Sequence, residues 1–285
     1  MKEQRENMKI QYLGTAAAEG WPAVFCNCEY CRKAKEKGGK NLRTRSQAII
    51  NNDLLIDFPT DSYAHMLKNG LDISAVKYLF VTHAHIDHFE PTDLLYYGES
   101  CYSHDMTEKE LKIYGNEMVM ERYKYYVTDR YDESVPSGIK AECIHPFQTV
   151  KAGGYEITAL PANHDKRENC LVYLIKQGEK TILYLHDTGI PSEDFFDYLE
   201  KNRVVCDLIS YDCTYGALKS SGGHLGLDRD IELRKRFEET GVSRKNTVSV
   251  VNHFSHNGML IYDEMKETAE KLGFVTAYDG MSLEV

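Results

Sequence analysis

The stretch Val81-Thr82-His83-Ala84-His85-Ile86-Asp87-His88 places three histidines and an aspartate directly after an apolar run, Val76–Thr82. That run, VKYLFVT, is short and rich in β-branched and aromatic residues, as expected of a buried strand that delivers its last residues to a site. Along a strand, residues two apart point the same way, so His83 and His85 present their imidazoles side by side. If the chain turns at once, Asp87 and His88 project onto a second position a few ångströms away. Imidazole and carboxylate donors suit zinc, iron or manganese. A surface histidine cluster holding no metal is the plainer alternative, and the adjoining apolar strand argues against it.

Further polar residues stand where other β-rich runs give out. His164 follows Leu160-Pro161-Ala162-Asn163, Asp187 ends Leu183-Tyr184-Leu185-His186-Asp187, and His253 follows Val250-Val251-Asn252. Strand ends are where loops build sites on a rigid scaffold. His186 faces away from Asp187 across its strand and reads as structural, while His65, His104 and His145 have no such context.

Around these points the chain reads as a first strand at Lys9–Gly14, a hairpin of Ser46–Ile50 and Leu54–Asp57 turning on Asn51-Asn52-Asp53, and a helix over about Thr60–Lys68. Pro91 to Val127, rich in Tyr, Met, Glu and Lys, reads as a helical stretch that could roof the site. Strands follow near Glu142–His145, Tyr155–Leu160, Leu171–Ile175 and Thr181–His186. Helices at Ser192–Lys201, Asp228–Thr240 and Met259–Leu272 then alternate with strands at Asp207–Tyr211, Thr247–Asn252 and Ser282–Val285. This order predicts two packed sheets with helices outside. No repeat or linker interrupts residues 1–285, which read as a single domain; residues 1–7 read as a flexible tail.

A hydrophobic content of 42% and a charged content of 27% are those of a soluble globular protein. With neither a leader-like start nor an apolar run of the roughly 20 residues a membrane helix needs, a cytoplasmic location and no membrane partner are expected. A net charge of −10 disfavours nucleic acid as partner. The basic residues of 32–45 go against that trend and read as a solvated loop, with a phosphate-attracting patch as the alternative.

The order and context of these motifs resemble the metallo-β-lactamase superfamily, from Leu13-Gly14-Thr15 to Asp279-Gly280-Met281. The resemblance implies an α/β fold, the four-layer αββα sandwich, with the 91–127 stretch as a helical insertion. It implies two divalent metals (Zn, Mn or Fe): His83, His85 and His164 holding one, Asp87, His88 and His253 the other, Asp187 bridging them, and Asp57 supporting the metal loop. Such a pair holds a bridging hydroxide ready for hydrolysis of an ester, lactone, amide or phosphodiester.

Cys26, Cys28 and Cys31 supply three thiolates, one short of a closed tetrahedral zinc site, and His256 is the candidate fourth ligand. Within the superfamily, this cluster, Gly14-Thr15, His253-x-x-His256 and Gly280-Met281 resemble the phosphodiesterases of the carbon–phosphorus lyase pathway, which open a phosphoribosyl cyclic phosphate. That resemblance implies one structural zinc and a small phosphorylated substrate, with Asp87 and His224 as catalytic residues. His224, in Ser221-Gly222-Gly223-His224, would protonate the leaving oxygen; a loop histidine of no consequence is the alternative. Asp212 reads as a support to the site or a turn residue. An RNA-processing nuclease, a lactonase or a thioesterase of the same superfamily are the competing activities, and a homodimer is compatible with the sequence.

Overall fold

The computed structural model describes residues 7–98, 102–129 and 137–285. The expected tail over residues 1–7 lies, but for Asn7, outside them. Two seven-stranded sheets carry the fold. The first holds β1 (Lys9–Gly14), β2 (Gln47–Ile50), β3 (Leu54–Ile56), β4 (Tyr78–Phe80), β5 (Leu111–Gly115) and β6 (Ile139–Cys143). The second holds β7 (Thr149–Ala152), β8 (Tyr155–Pro161), β9 (Leu171–Gln177), β10 (Lys180–Leu185), β11 (Leu208–Asp212), β12 (Val248–Asn252) and β13 (Val275–Thr276), and the chain returns through β14 (Ser282–Glu284) to the free side of β1. The helices are α1 (Glu29–Lys37), α2 (Ser62–Asn69), α3 (Glu117–Tyr123), α4 (Glu193–Lys201), α5 (Leu227–Glu239) and α6 (Tyr262–Lys271).

The sheets pack face to face because both present apolar side chains inward. Ile50, Leu54, Ile56 and Phe80 from the first sheet share a core with Tyr173, Leu183 and Tyr184 from the second. The alternate residues of the same strands, Ile49, Leu55 and Leu79, point outward into another core with Phe58, Phe89, Val119 and Tyr123. Period-two alternation with both faces covered explains why β2 to β4 read as almost continuous apolar runs. The expected αββα sandwich is the observed fold. Among the described residues no helix is long and apolar enough to cross a membrane.

Two expectations are corrected. The helical stretch over 91–127 is not one: Pro91–Tyr96 is a 3₁₀ helix, Leu111–Gly115 is a strand between β4 and β6, and helix resumes only at Glu117. Residues 99–101 of that stretch lie outside the described residues. Its tyrosines do not roof the histidine cluster. Tyr114 and Tyr123 are buried in the cores, and Tyr96, Tyr97 and Tyr102 line a separate cavity against the outer face of the first sheet. The basic segment 32–45 is not wholly a solvated loop either, since it begins inside α1 and ends in structure. Arg43 is buried, donates to Thr15 Oγ1 at 2.7 Å and to the Ala277 carbonyl at 2.8 Å, and stacks on Phe254.

Candidate metal centre

β4 ends at Phe80, and the chain leaves it through Val81 and Thr82, which the second sheet grips from the other side. Tyr173 donates its hydroxyl to the Val81 carbonyl at 2.6 Å, and the Leu171 amide donates to the Thr82 carbonyl at 2.9 Å. The histidine motif therefore opens at a point where the two sheets are tied together. Thr82 then donates from its amide and its hydroxyl to Asp57 Oδ1, at 2.8 and 2.9 Å. Asp57 Oδ2 takes a third bond from His88 Nδ1. Asp57, Asp187 and His253 all hold left-handed backbone, with φ of 66°, 51° and 60°. Non-glycine residues seldom adopt that conformation, and it is tolerated where surrounding structure demands it.

The imidazoles share one pattern: an outer nitrogen is spent on a protein acceptor, which frees the other to face inward. His88 Nδ1 donates to Asp57, and His85 Nε2 donates to Asp165 at 3.1 Å. His164 Nδ1 donates to the Gly223 carbonyl at 3.1 Å, and a Cβ at Gly223 would press on His164 at 3.0 Å. His253 Nδ1 donates to Thr214 Oγ1 at 2.9 Å, and His83 Nδ1 lies 3.0 Å from Thr82 Oγ1. What remains converges. His85 Nδ1 stands 3.0 Å from His83 Nε2 and 3.3 Å from His164 Nε2. Lone pairs this close repel unless a cation lies among them.

Two groups of donor atoms result, each spanning no more than 4.8 Å: His83, His85 and His164 in one, and Asp87, His88, Asp187 and His253 in the other. Asp187 lies between them, its Oδ2 being 3.4 Å from His83 Nε2 and 2.5 Å from His88 Nε2. His253 Nε2 is buried with no hydrogen-bond partner, and His88 Nε2, equally buried, meets only the carboxylates of Asp187 and Asp87. Buried polar atoms are rarely left so. The electrostatics agree. Burial alone would strip His88 of its proton, yet Asp187, Asp57 and Asp87 hold its pKa well above the usual range. Burial likewise works against ionised Asp187, and His253 and His88 nevertheless keep it well below the carboxylate range. The pocket is built for positive charge, and its donor set fits a pair of divalent metals.

Above this cluster is a cavity of about 500 Å³, walled by Ala17, Ala18, Glu19, Thr214, Tyr215, His224, Ser255 and Asn257 as well as metal-site residues. His224 reaches in from the loop before α5. Its Nδ1 stands 3.1 Å from Asp212 Oδ2 and 3.2 Å from Asp187 Oδ1. Burial disfavours its charge, but Asp212 and Asp187 outweigh burial and raise its pKa to about 11. Asp212 also accepts from the amides of Asp187, Thr214 and Leu225, so it organises three parts of the wall at once.

A second donor set lies behind the wall. Cys26, Cys28, Cys31 and His256 fall within 4.8 Å of one another, with His256 Nδ1 3.7 and 3.5 Å from the sulfurs of Cys26 and Cys28. Burial opposes ionisation of Cys28, but the Cys31 amide and His256 bring its pKa down to about 6. Glu19 connects the two sites: it accepts from Ser255 Oγ, its Oε1 lies 3.6 Å from His256 Nε2, and its side chain lines the cavity.

Residues 53–247 match the family model described as the beta-lactamase superfamily domain. The chain belongs to that family. Solved structures agree on the fold. A diphosphatase of the PhnP family is 18% identical, with a TM-score of 0.73 and 98% of each chain covered. Zn(2+)-bound PqqB from Methylobacterium extorquens is 17% identical, with a TM-score of 0.69 over 97% of this chain and 100% of that one. The short form of human tRNase Z is 16% identical, with a TM-score of 0.64 over 96% and 98%. No curated protein sequence matches the chain.

Every residue that the sequence singled out for the paired site is in these two groups, and His256 does meet the three cysteines. Glu19, Thr214, Asp165 and Glu168 were not read from the sequence. Asp165 adjoins His164, and an acidic residue beside a ligand histidine is the one local signal among the four. Glu168 accepts from the Ala84 amide at 3.0 Å and so braces the motif from outside.

Proposed function

We propose that the chain is a two-metal hydrolase that cleaves phosphodiester bonds in a small cyclic or nucleotide-like phosphate. His83, His85 and His164 would hold one metal, Asp87, His88 and His253 the other, with Asp187 between. Bound there, two divalent metals (Zn, Mn or Fe) supply Lewis acidity and activate water. Cys26, Cys28, Cys31 and His256 would hold a further, structural zinc.

The observation that carries the phosphodiester reading is the placement of His224. It stands in the cavity wall, beside Asp187 and held by Asp212 at 3.1 Å. A departing alkoxide is a poor leaving group, and a positioned acid is what its cleavage needs. The imidazolium of His224 is steered by Asp212 and opens toward the cavity, where it can deliver a proton to the leaving oxygen. The likeness to a diphosphatase supports hydrolysis at phosphorus in general.

The lining of the cavity supports a small substrate. None of the residues lining the cavity is Lys or Arg, and the chain carries a net charge of −10. That combination supports a small phosphate over an RNA, whose grip depends on basic surface. The test is turnover of bis-p-nitrophenyl phosphate against nitrocefin and a lactone panel, with and without Mn²⁺. Phosphodiester cleavage is expected. Turnover of nitrocefin or lactones alone overturns the assignment.

A further inference from the structure

A third group of donors lies outside both sites, where the outer strand of the first sheet meets α3. Cys143 is the last residue of β6 and His145 follows two residues later, so their side chains leave the same side of the chain while Ile144 between them is buried. Glu117 opens α3, two residues after Gly115, and Gly115 is the register partner of Cys143. The Ile144 amide donates to the Gly115 carbonyl at 2.8 Å, which locks the strand end against the start of the helix. A carboxylate oxygen, a sulfur and an imidazole nitrogen thereby come within 4.8 Å of one another.

We propose that Glu117, Cys143 and His145 form a solvent-open site for a zinc-like divalent cation. An ion pair between His145 Nδ1 and Glu117 Oε1, at 3.1 Å, is the plainer account of two of these residues. Exposed pairs of that kind contribute little, and this one gives no role to the thiol beside it. Thiolate, imidazole and carboxylate together are the donor set of zinc, and three protein ligands leave one position for water. The oxygen ligands preferred by Mg²⁺ and Ca²⁺ are in the minority. Side-chain exposures of 60% for His145 and 46% for Glu117 leave the approach from solvent open. A redox or nucleophilic role fits Cys143 less well: burial and the Glu117 charge both push its thiol pKa up, away from the reactive range.

The site also adjoins the brace of the paired metal centre. Glu117 accepts from Asn169 Nδ2 at 3.3 Å, and the next residue back, Glu168, accepts from Asn116 Nδ2 at 2.8 Å and from the Ala84 amide at 3.0 Å. A cation here ties β6 to α3 one residue away from the bonds that hold the His83–His85 turn.

Protection of Cys143 from alkylation tests the site residue by residue. The metal-loaded protein is treated with iodoacetamide, with and without added Zn²⁺, and modification is followed at the Cys143 peptide by mass spectrometry. At about nine-tenths occupancy the rate at Cys143 is expected to fall about tenfold, because only the unliganded thiol reacts. Mg²⁺ gives no protection. His145→Gln and Glu117→Gln, both at exposed positions, each abolish the zinc effect while Cys143 remains available to report. An unchanged Cys143 rate in the wild type with Zn²⁺ overturns the proposal. So does zinc protection that persists undiminished in both variants, because the thiol is then shielded by something other than this trio.

Discussion

His88 Nδ1 lies 2.7 Å from Asp57 Oδ2, and both side chains are fully buried. Asp57 thereby fixes which nitrogen of His88 faces the pocket, and through Thr82 it also holds the end of the strand that presents His83. A carboxylate behind a ligand histidine sets its tautomer and orientation. Asp57→Asn is expected to weaken metal binding about 10- to 100-fold. Metal titration followed by calorimetry checks this, and unchanged affinity contradicts the role given to Asp57.

His224 supports the phosphodiester reading, so its removal has a diagnostic pattern. His224→Ala is expected to lower kcat on alkyl phosphodiesters by about 10²–10⁴-fold. With p-nitrophenolate, which departs without protonation, the loss is much smaller. An equal loss on both substrate types would point to a positioning role instead. The comparison needs only two substrates and one variant.

The Cys–His256 centre is expected to be a strut. Cys28→Ser loses one zinc per chain and destabilises the fold by on the order of 4 kcal/mol, as losses of structural metals do. Activity falls with it, because Glu19 joins His256 to the cavity wall. A variant of wild-type stability with altered activity sinks the strut and favours a sensor.

His65 belongs to none of these donor groups, with Nδ1 2.6 Å from Gln47 Oε1 and Nε2 2.7 Å from Thr44 Oγ1. Burial lowers its pKa to about 4, against 6.5 for an exposed histidine. Below pH 6.5 the unfolded chain takes up a proton that the folded one refuses. Stability therefore falls as pH drops from 6.5 to about 4, by about 3 kcal/mol from this group, and levels off below. Urea unfolding of His65→Gln beside the wild type, at pH 7 and pH 5, should show a shallower loss in the variant. Equal losses contradict the account.

The residues of the two donor groups were legible because each pairs a distinctive chemistry with the end of an apolar strand. β5 was not. Leu111-Lys112-Ile113-Tyr114-Gly115 is short and preceded by Glu108, Lys109 and Glu110, so charge and tyrosine content masked a strand that only its parallel neighbours β4 and β6 define. α1 escaped for a related reason: its buried residues are Cys31 and Ala34, too few to mark a helical stripe. Arg43 looked solvated because what surrounds it, Thr15, Phe254 and Ala277, is distant in sequence. Glu19 and Thr214 are common residue types in loops, and only folding brings them to the site.

A pair of metals between the histidine and aspartate groups is expected to drive phosphodiester cleavage. Metal content and bis-p-nitrophenyl phosphate turnover, measured on the same samples during stepwise reloading of chelated protein, test it most directly. Wild-type activity is expected to rise with the filling of two sites per chain beyond the cysteine zinc, and Asp187→Asn to fill them poorly and stay inactive. Full activity in metal-free protein, or in Asp187→Asn, would contradict it.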